Sequence, residues 1–168
     1  MQISTLPHYG PVPEIRPIGT APQGSVHIVS LPHRIDLAER VDRFVGIPYD
    51  VRRMDCADLV LLVQRELFGR EVLLPGKRPR PLGDDAQAEA IHAYTQQLAD
   101  PVAQPQDGDL VLMRELGAAQ AGHIGTYFFL NFTPYVLHTT ALLGASVLHR
   151  RQDLSATGLT VEGFYRWK

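Results

Sequence analysis

Met54-Asp55-Cys56-Ala57-Asp58-Leu59-Val60-Leu61-Leu62-Val63 is the stretch on which the reading of the fold turns. Apolar residues at 59, 60, 63 and 67 recur with helical spacing. Asp55 has the chemistry of an N-cap, and Gly69 stands where a helix of this length ends. Cys56 is then a first-turn residue. Backbone N–H groups and the positive end of the helix dipole stabilise a thiolate there, and the thiolate is the attacking species in cysteine catalysis. A lone cysteine is equally a small hydrophobe of the kind proteins bury, so the rest of the chain has to decide between the two roles.

Composition narrows the field. The chain has 168 residues, 45% hydrophobic and 20% charged, enough for a single domain with a sizeable core. A net charge of -2 gives no electrostatic basis for binding nucleic acid or an anionic membrane surface. The single cysteine excludes an intramolecular disulfide and any cysteine-cluster metal site. No run approaches the roughly 18 apolar residues of a membrane span. The start, Met1-Gln2-Ile3-Ser4-Thr5-Leu6-Pro7-His8, lacks the basic and apolar regions of a signal peptide. The expectation is a protein made in the cytoplasm that reaches any extracellular site by another route.

Around the central stretch, the chain divides by period. Pro7, Pro11, Pro13, Pro17 and Pro22 forbid a helix at the start, and Ser25–Leu31 alternates like a strand. Residues 1–35 are therefore expected to form an extension and 36–168 the core. A helix is expected from Asp36, with Glu39 at capping-box spacing, Leu37, Val41, Phe44 and Val45 on its apolar face, and Gly46 at its end. Residues 47–53 are expected to run extended into the Cys56 helix. Residues 70–83 are basic and proline-rich and read as a loop, either solvated or a cationic rim to a cleft. Asp84 to Leu98 returns to a helical pattern, and 100–108 reads as loop. From residue 110 the pattern becomes β: 110–113, 124–130, 135–139, 145–148 and 163–167 are short strand-like runs. Helices first and strands second imply an α+β fold with an antiparallel sheet.

Two histidines stand out in the β region. His123 opens one predicted strand, and His138 lies near the end of the next. A hairpin turning at 131–134 sets both on one face. A helix carrying Cys56 against that face makes a nucleophile, a base (His123) and an orienter (His138). The other five histidines, His149 among them, read as structural.

These landmarks, in this order, resemble the NlpC/P60 group of papain-like cysteine peptidases. Phe44-Val45-Gly46-Ile47-Pro48-Tyr49 resembles the segment before the nucleophile. Asp55-Cys56-Ala57-Asp58-Leu59-Val60 is similar to the family's Asp-Cys-Ser-Gly-Leu-Val. Gln106-Asp107-Gly108-Asp109-Leu110-Val111 is similar to its Gly-Asp-Leu strand. Gly122-His123-Ile124-Gly125-Thr126-Tyr127 is similar to its His-Val-Gly-Ile-Tyr motif, and Val136-Leu137-His138-Thr139 to the strand that follows. The likeness spans about residues 36–140, with 70–105 as an insertion. The chain departs from the family at Arg52-Arg53, where the family has a glycine pair, and at Ala57-Asp58, where it has Ser-Gly.

The resemblance implies a papain-like fold, a Cys56-His123-His138 triad and no cofactor. It implies hydrolysis of amide bonds in peptidoglycan stem peptides. The Cys56 N–H and the Tyr49 hydroxyl would hold the oxyanion, with Asp55 beside them, and Arg52 and Arg53 would pair with substrate carboxylates. Delivery by a phage tail or a secretion machine is the expected partnership. A thiol acyltransferase or amidase with another substrate, and a non-catalytic phage-tail scaffold, are the other classes this sequence allows.

Overall fold

The chain divides into two units, Met1–Ser30 and Leu31–Lys168. The computed structural model describes residues 32–73 and 84–168, all within the second unit. The strand expected at 25–31 and most of the basic loop at 70–83 lie outside the described residues.

Three helices precede an antiparallel sheet, an α+β arrangement. They are α1 (Pro32–Asp42), α2 (Cys56–Phe68) and α3 (Asp84–Leu98). The strands are β1 (Ala99–Val102), β2 (Leu110–Glu115), β3 (His123–Leu130), β4 (Thr133–Thr139), β5 (Ser146–Arg150) and β6 (Leu159–Trp167). A 3-10 helix, Arg151–Thr157, joins the last two. The strand order is β1-β6-β2-β3-β4-β5.

Helix α2 follows its local signals. Asp55 is extended (φ -90°, ψ -173°), and its Oδ1 accepts hydrogen bonds from the N–H groups of Ala57 and Asp58, both at 2.9 Å. Asp58 Oδ2 accepts from the Asp55 N–H at 3.1 Å, completing a capping box. Gly69 ends the helix at φ +63°, a left-handed position that costs glycine little. The apolar stripe works as its spacing predicts. Leu59, Val63 and Leu67 pack with Phe128 and Leu130 of β3, Leu137 of β4, and Val41 and Phe44 from the α1 region. Truncating one such buried leucine costs about 2–5 kcal/mol.

Elsewhere the local reading needs correction. Helix α1 begins at Pro32 rather than Asp36, since a proline in the first turn forfeits no helical hydrogen bond. Val45 lies beyond its end and is exposed, so it does not join the core. Residues 47–53 are not extended throughout. The Asp50 carbonyl accepts from the N–H groups of Arg53 and Met54, and Asp50 Oδ1 accepts from the Arg52 N–H at 2.8 Å. An aspartate side chain bonding the backbone two residues on makes this a turn. Strand β1 falls within the expected loop. Its Pro101 is admissible because β1 is an edge strand.

The β3–β4 hairpin turns where expected. Leu130 pairs with Thr133, and Asn131 and Phe132 between them both have positive φ (48° and 62°). Two such residues make a tight turn whose twist matches the strands it joins.

Candidate active site

Cys56 is the first residue of α2 and is partly buried against the apolar cluster of Val60, Leu110, Leu112 and Ile124. His123 is the first residue of β3 and is buried. Both line a cleft of about 920 Å³, which also takes in Tyr49, Asp55 and Thr139. The Thr139 hydroxyl is buried without a hydrogen-bond partner.

The register sets the histidines on one face, but not on the face expected. Thr126 pairs with Leu137, so these two share a face with Phe128 and Leu130, the residues α2 packs on. Alternation puts His123, Gly125 and His138 on the opposite face. That face carries Met113, paired with His123, and the cluster of Val111, Tyr127, Val136 and Leu154. Cys56 and His123 both line the cleft, although the apolar stripe of α2 packs on the face opposite the histidines.

His123 Nε2 lies 3.1 Å from His138 Nδ1, with the rings nearly perpendicular. Gly125 lies between them along the face. A Cβ there would come within 2.7 Å of Val136 Cγ1, 2.8 Å of the Leu137 carbonyl oxygen and 3.2 Å of His138 Cβ. Glycine gives β4 and the His138 side chain room to approach β3 this closely.

The row does not end at His138. His138 Nε2 lies 2.9 Å from His149 Nδ1. His149 has the structural reading in the sequence, and the structure places it third in the row. Its signal is one of register: His138 pairs with Val147, and His149 is two residues further along the same face. The strand-like run read as 145–148 stops one residue short of it.

Burial keeps the inner rings neutral. His123 is lowered to about 4 by desolvation. His138 is lowered to about 3 by desolvation, then by the charges of His123 and His149. His123 Nδ1, the nitrogen not used by His138, is 4.0 Å from Glu115 Oε1, too long for a hydrogen bond.

The remaining expected site residues are accounted for as follows. Tyr49 is half-buried in the cleft wall, and its N–H donates to the Gly144 carbonyl at 2.9 Å. Asp55 spends its Oδ1 on the helix start. Arg52 and Arg53 are exposed in the turn before α2 and are not among the residues lining the cleft. The described charged residues that do line it are Asp55, Asp85 and Glu115. Gly108-Asp109 is a structural joint. The Gly108 carbonyl accepts from Gln64 Nε2 and Trp167 Nε1, and Asp109 pairs with Arg166 at 3.0 Å. Among the described residues, no group of three or more histidine, cysteine or acidic side chains is placed to hold a metal ion. No helix among them is long and apolar enough to cross a membrane.

No protein-family model, curated protein or solved structure matches the chain.

Proposed function

We propose that this protein is a cysteine hydrolase that cleaves amide bonds in peptidoglycan stem peptides, with a papain-like site of the NlpC/P60 kind. One observation carries the reading. The lone cysteine, on the first turn of a capped helix, shares a cleft with a histidine whose Nε2 lies 3.1 Å from a second histidine. A cysteine and a histidine in one cleft, with a second histidine against the first, supply the nucleophile, base and orienter of the triad pattern.

In this mechanism Cys56 gives its proton to His123 Nδ1 and attacks the scissile carbonyl. The tetrahedral oxyanion is held by the Cys56 N–H, at the positive end of α2, and by the Tyr49 hydroxyl. His123 returns the proton to the leaving amine, and a thioester remains. Water, activated by His123, hydrolyses it. His138 accepts from His123 Nε2–H, which keeps Nδ1 bare and able to act as the base. Digestion of purified muropeptides, read by mass spectrometry, tests the proposal. The expected result is a new amine and a new carboxylate from one stem-peptide bond, lost in Cys56→Ala.

The cleft rim favours a second reading. Leu116 and Leu142 line it and are 90% and 89% exposed. An apolar rim suits an acyl chain, so the same chemistry would act as an amidase or acyltransferase on an acylated amine. Turnover of N-acyl amides with no turnover of muropeptides would select it.

A further inference from the structure

The described residues leave one chemically loaded feature that the triad does not use. His149, half-buried on β5, continues the line of ring contacts from His123 through His138 toward the surface. Ring nitrogens 3.1 and 2.9 Å apart are hydrogen-bonded only if one of each pair carries a proton and the other does not. In a row of neutral rings that leaves two arrangements, each running the full length. In one, His123 Nε2–H donates to His138 Nδ1 and His138 Nε2–H donates to His149 Nδ1, so His123 Nδ1 is bare. In the other every donor is reversed, and His123 Nδ1 carries the proton. The state of His149 therefore decides which nitrogen of His123 is the base.

We propose that His149 is a positioning residue and the outer end of a proton relay: the charge created when His123 takes the Cys56 proton is held on His149. The inference rests on the hydrolase reading above. The S–H bond of Cys56 breaks, and its proton forms an N–H bond at His123 Nδ1. The His123 Nε2 proton passes to His138 Nδ1, and the His138 Nε2 proton passes to His149 Nδ1. The result is a thiolate, two neutral inner rings and an imidazolium at His149. When the amine leaves, it takes the proton from His123 Nδ1, and the other two protons step back. Placing the charge at the outer end spares both enclosed rings, where burial disfavours it. The adjoining Arg150 and Arg151 are exposed, so solvent screens them.

Alkylation of Cys56 in the full chain by iodoacetamide, followed against pH, reads thiolate formation without needing turnover. In the wild type the thiolate is expected below the ordinary thiol range. His149→Gln keeps an acceptor for His138 but cannot hold the proton, so the inflection should move up by about one unit and alkylation below it should fall by up to about tenfold. A His149→Gln profile that superimposes on the wild type overturns the relay while leaving the Cys56–His123 pair intact. An ordinary thiol profile in the wild type, unchanged by His123→Ala, overturns the hydrolase reading and the relay with it. Long-range proton–nitrogen spectra of Cys56→Ala keep the test independent of how His149 variants fold. The bare nitrogen of His123 and that of His138 should move from Nδ1 to Nε2 together, in one step, as the pH falls. His123 and His138 changing tautomer in separate steps would overturn the proposal.

Discussion

The two sides of the site are held by different means. The start of α2 is a local construction: Asp55, Asp58 and Gly69 set the ends of the helix through bonds within a few residues. The histidine row is a long-range one. His123, His138 and His149 meet only because three strands pair in one register, and a slip of one residue would turn His138 to the other face. A local device fails by a fraction of a helix, whereas a register device fails as a whole. The helix start that carries Cys56 should therefore survive insults that scatter the histidine row, and variants can test that asymmetry.

The largest effects should come from the reacting groups themselves. Cys56→Ala and His123→Ala should each lower turnover by roughly 10⁴-fold or more, and the double variant hardly further, because members of such a unit are not additive. Cys56→Ala should keep its melting transition, whereas His123→Ala, which leaves a cavity and an unpaired ring nitrogen, should lower it. His138→Gln should lose less than His138→Ala, since its amide oxygen still accepts from His123. Equal losses for Gln and Ala would remove the orienting role.

Acid should separate the two sides next. Both inner histidines have folded values below the ordinary 6.5, so between those values the unfolded chain binds more protons than the folded one. Stability is fully present above about pH 6.5 and falls as pH drops toward 4 and then 3. Urea midpoints measured from pH 7.5 to 4 should show this decline, and His123→Asn with His138→Gln should flatten it. A wild-type midpoint constant over that range would break the account of buried neutral rings.

Single substitutions sharpen the contrast between device types. Gly125→Ala sets a methyl 2.8 Å from the Leu137 carbonyl oxygen, which belongs to the ladder and cannot turn aside. It should cost about 1–3 kcal/mol and disturb the His123–His138 contact, seen as a shift in the ring nitrogen resonances. Asp55→Ala, which removes only a cap, should cost about 1 kcal/mol and leave those resonances in place. The reverse ranking by chemical denaturation would contradict the comparison.

The smallest effect is expected in the turn before α2. With Arg52 and Arg53 exposed and outside the cleft lining, replacing both by Gln should change KM for an acidic muropeptide by about twofold or less, the scale of a surface substitution. A larger rise, confined to substrates with free carboxylates and weakened by salt, would bring the arginines to the substrate.

Much of the fold was legible from period and punctuation. The span and caps of α2, the span of α3, the β3–β4 hairpin and the antiparallel α+β arrangement all rest on residues that act on near neighbours. The misses have two physical origins, long-range strand pairing and local punctuation that the apolar period hides. Strand β1 contains a proline and is held only by pairing with β6. Residues 50–54 form a turn through the Asp50 side chain. Val45 has helical spacing but stands past the helix end. His149 lay one residue beyond a predicted strand, and its meaning depends on β4.

The sequence alone singled out Cys56, His123 and His138 as candidates for reactive chemistry and determined where the helix bearing Cys56 begins, because capping and apolar periodicity act over a few residues along the chain. Only the tertiary structure decided that α2 packs on the face opposite the histidines, that one cleft is lined by both Cys56 and His123, and that His149 completes the row. Those relations depend on which strands pair and in what register, which the whole core sets at once.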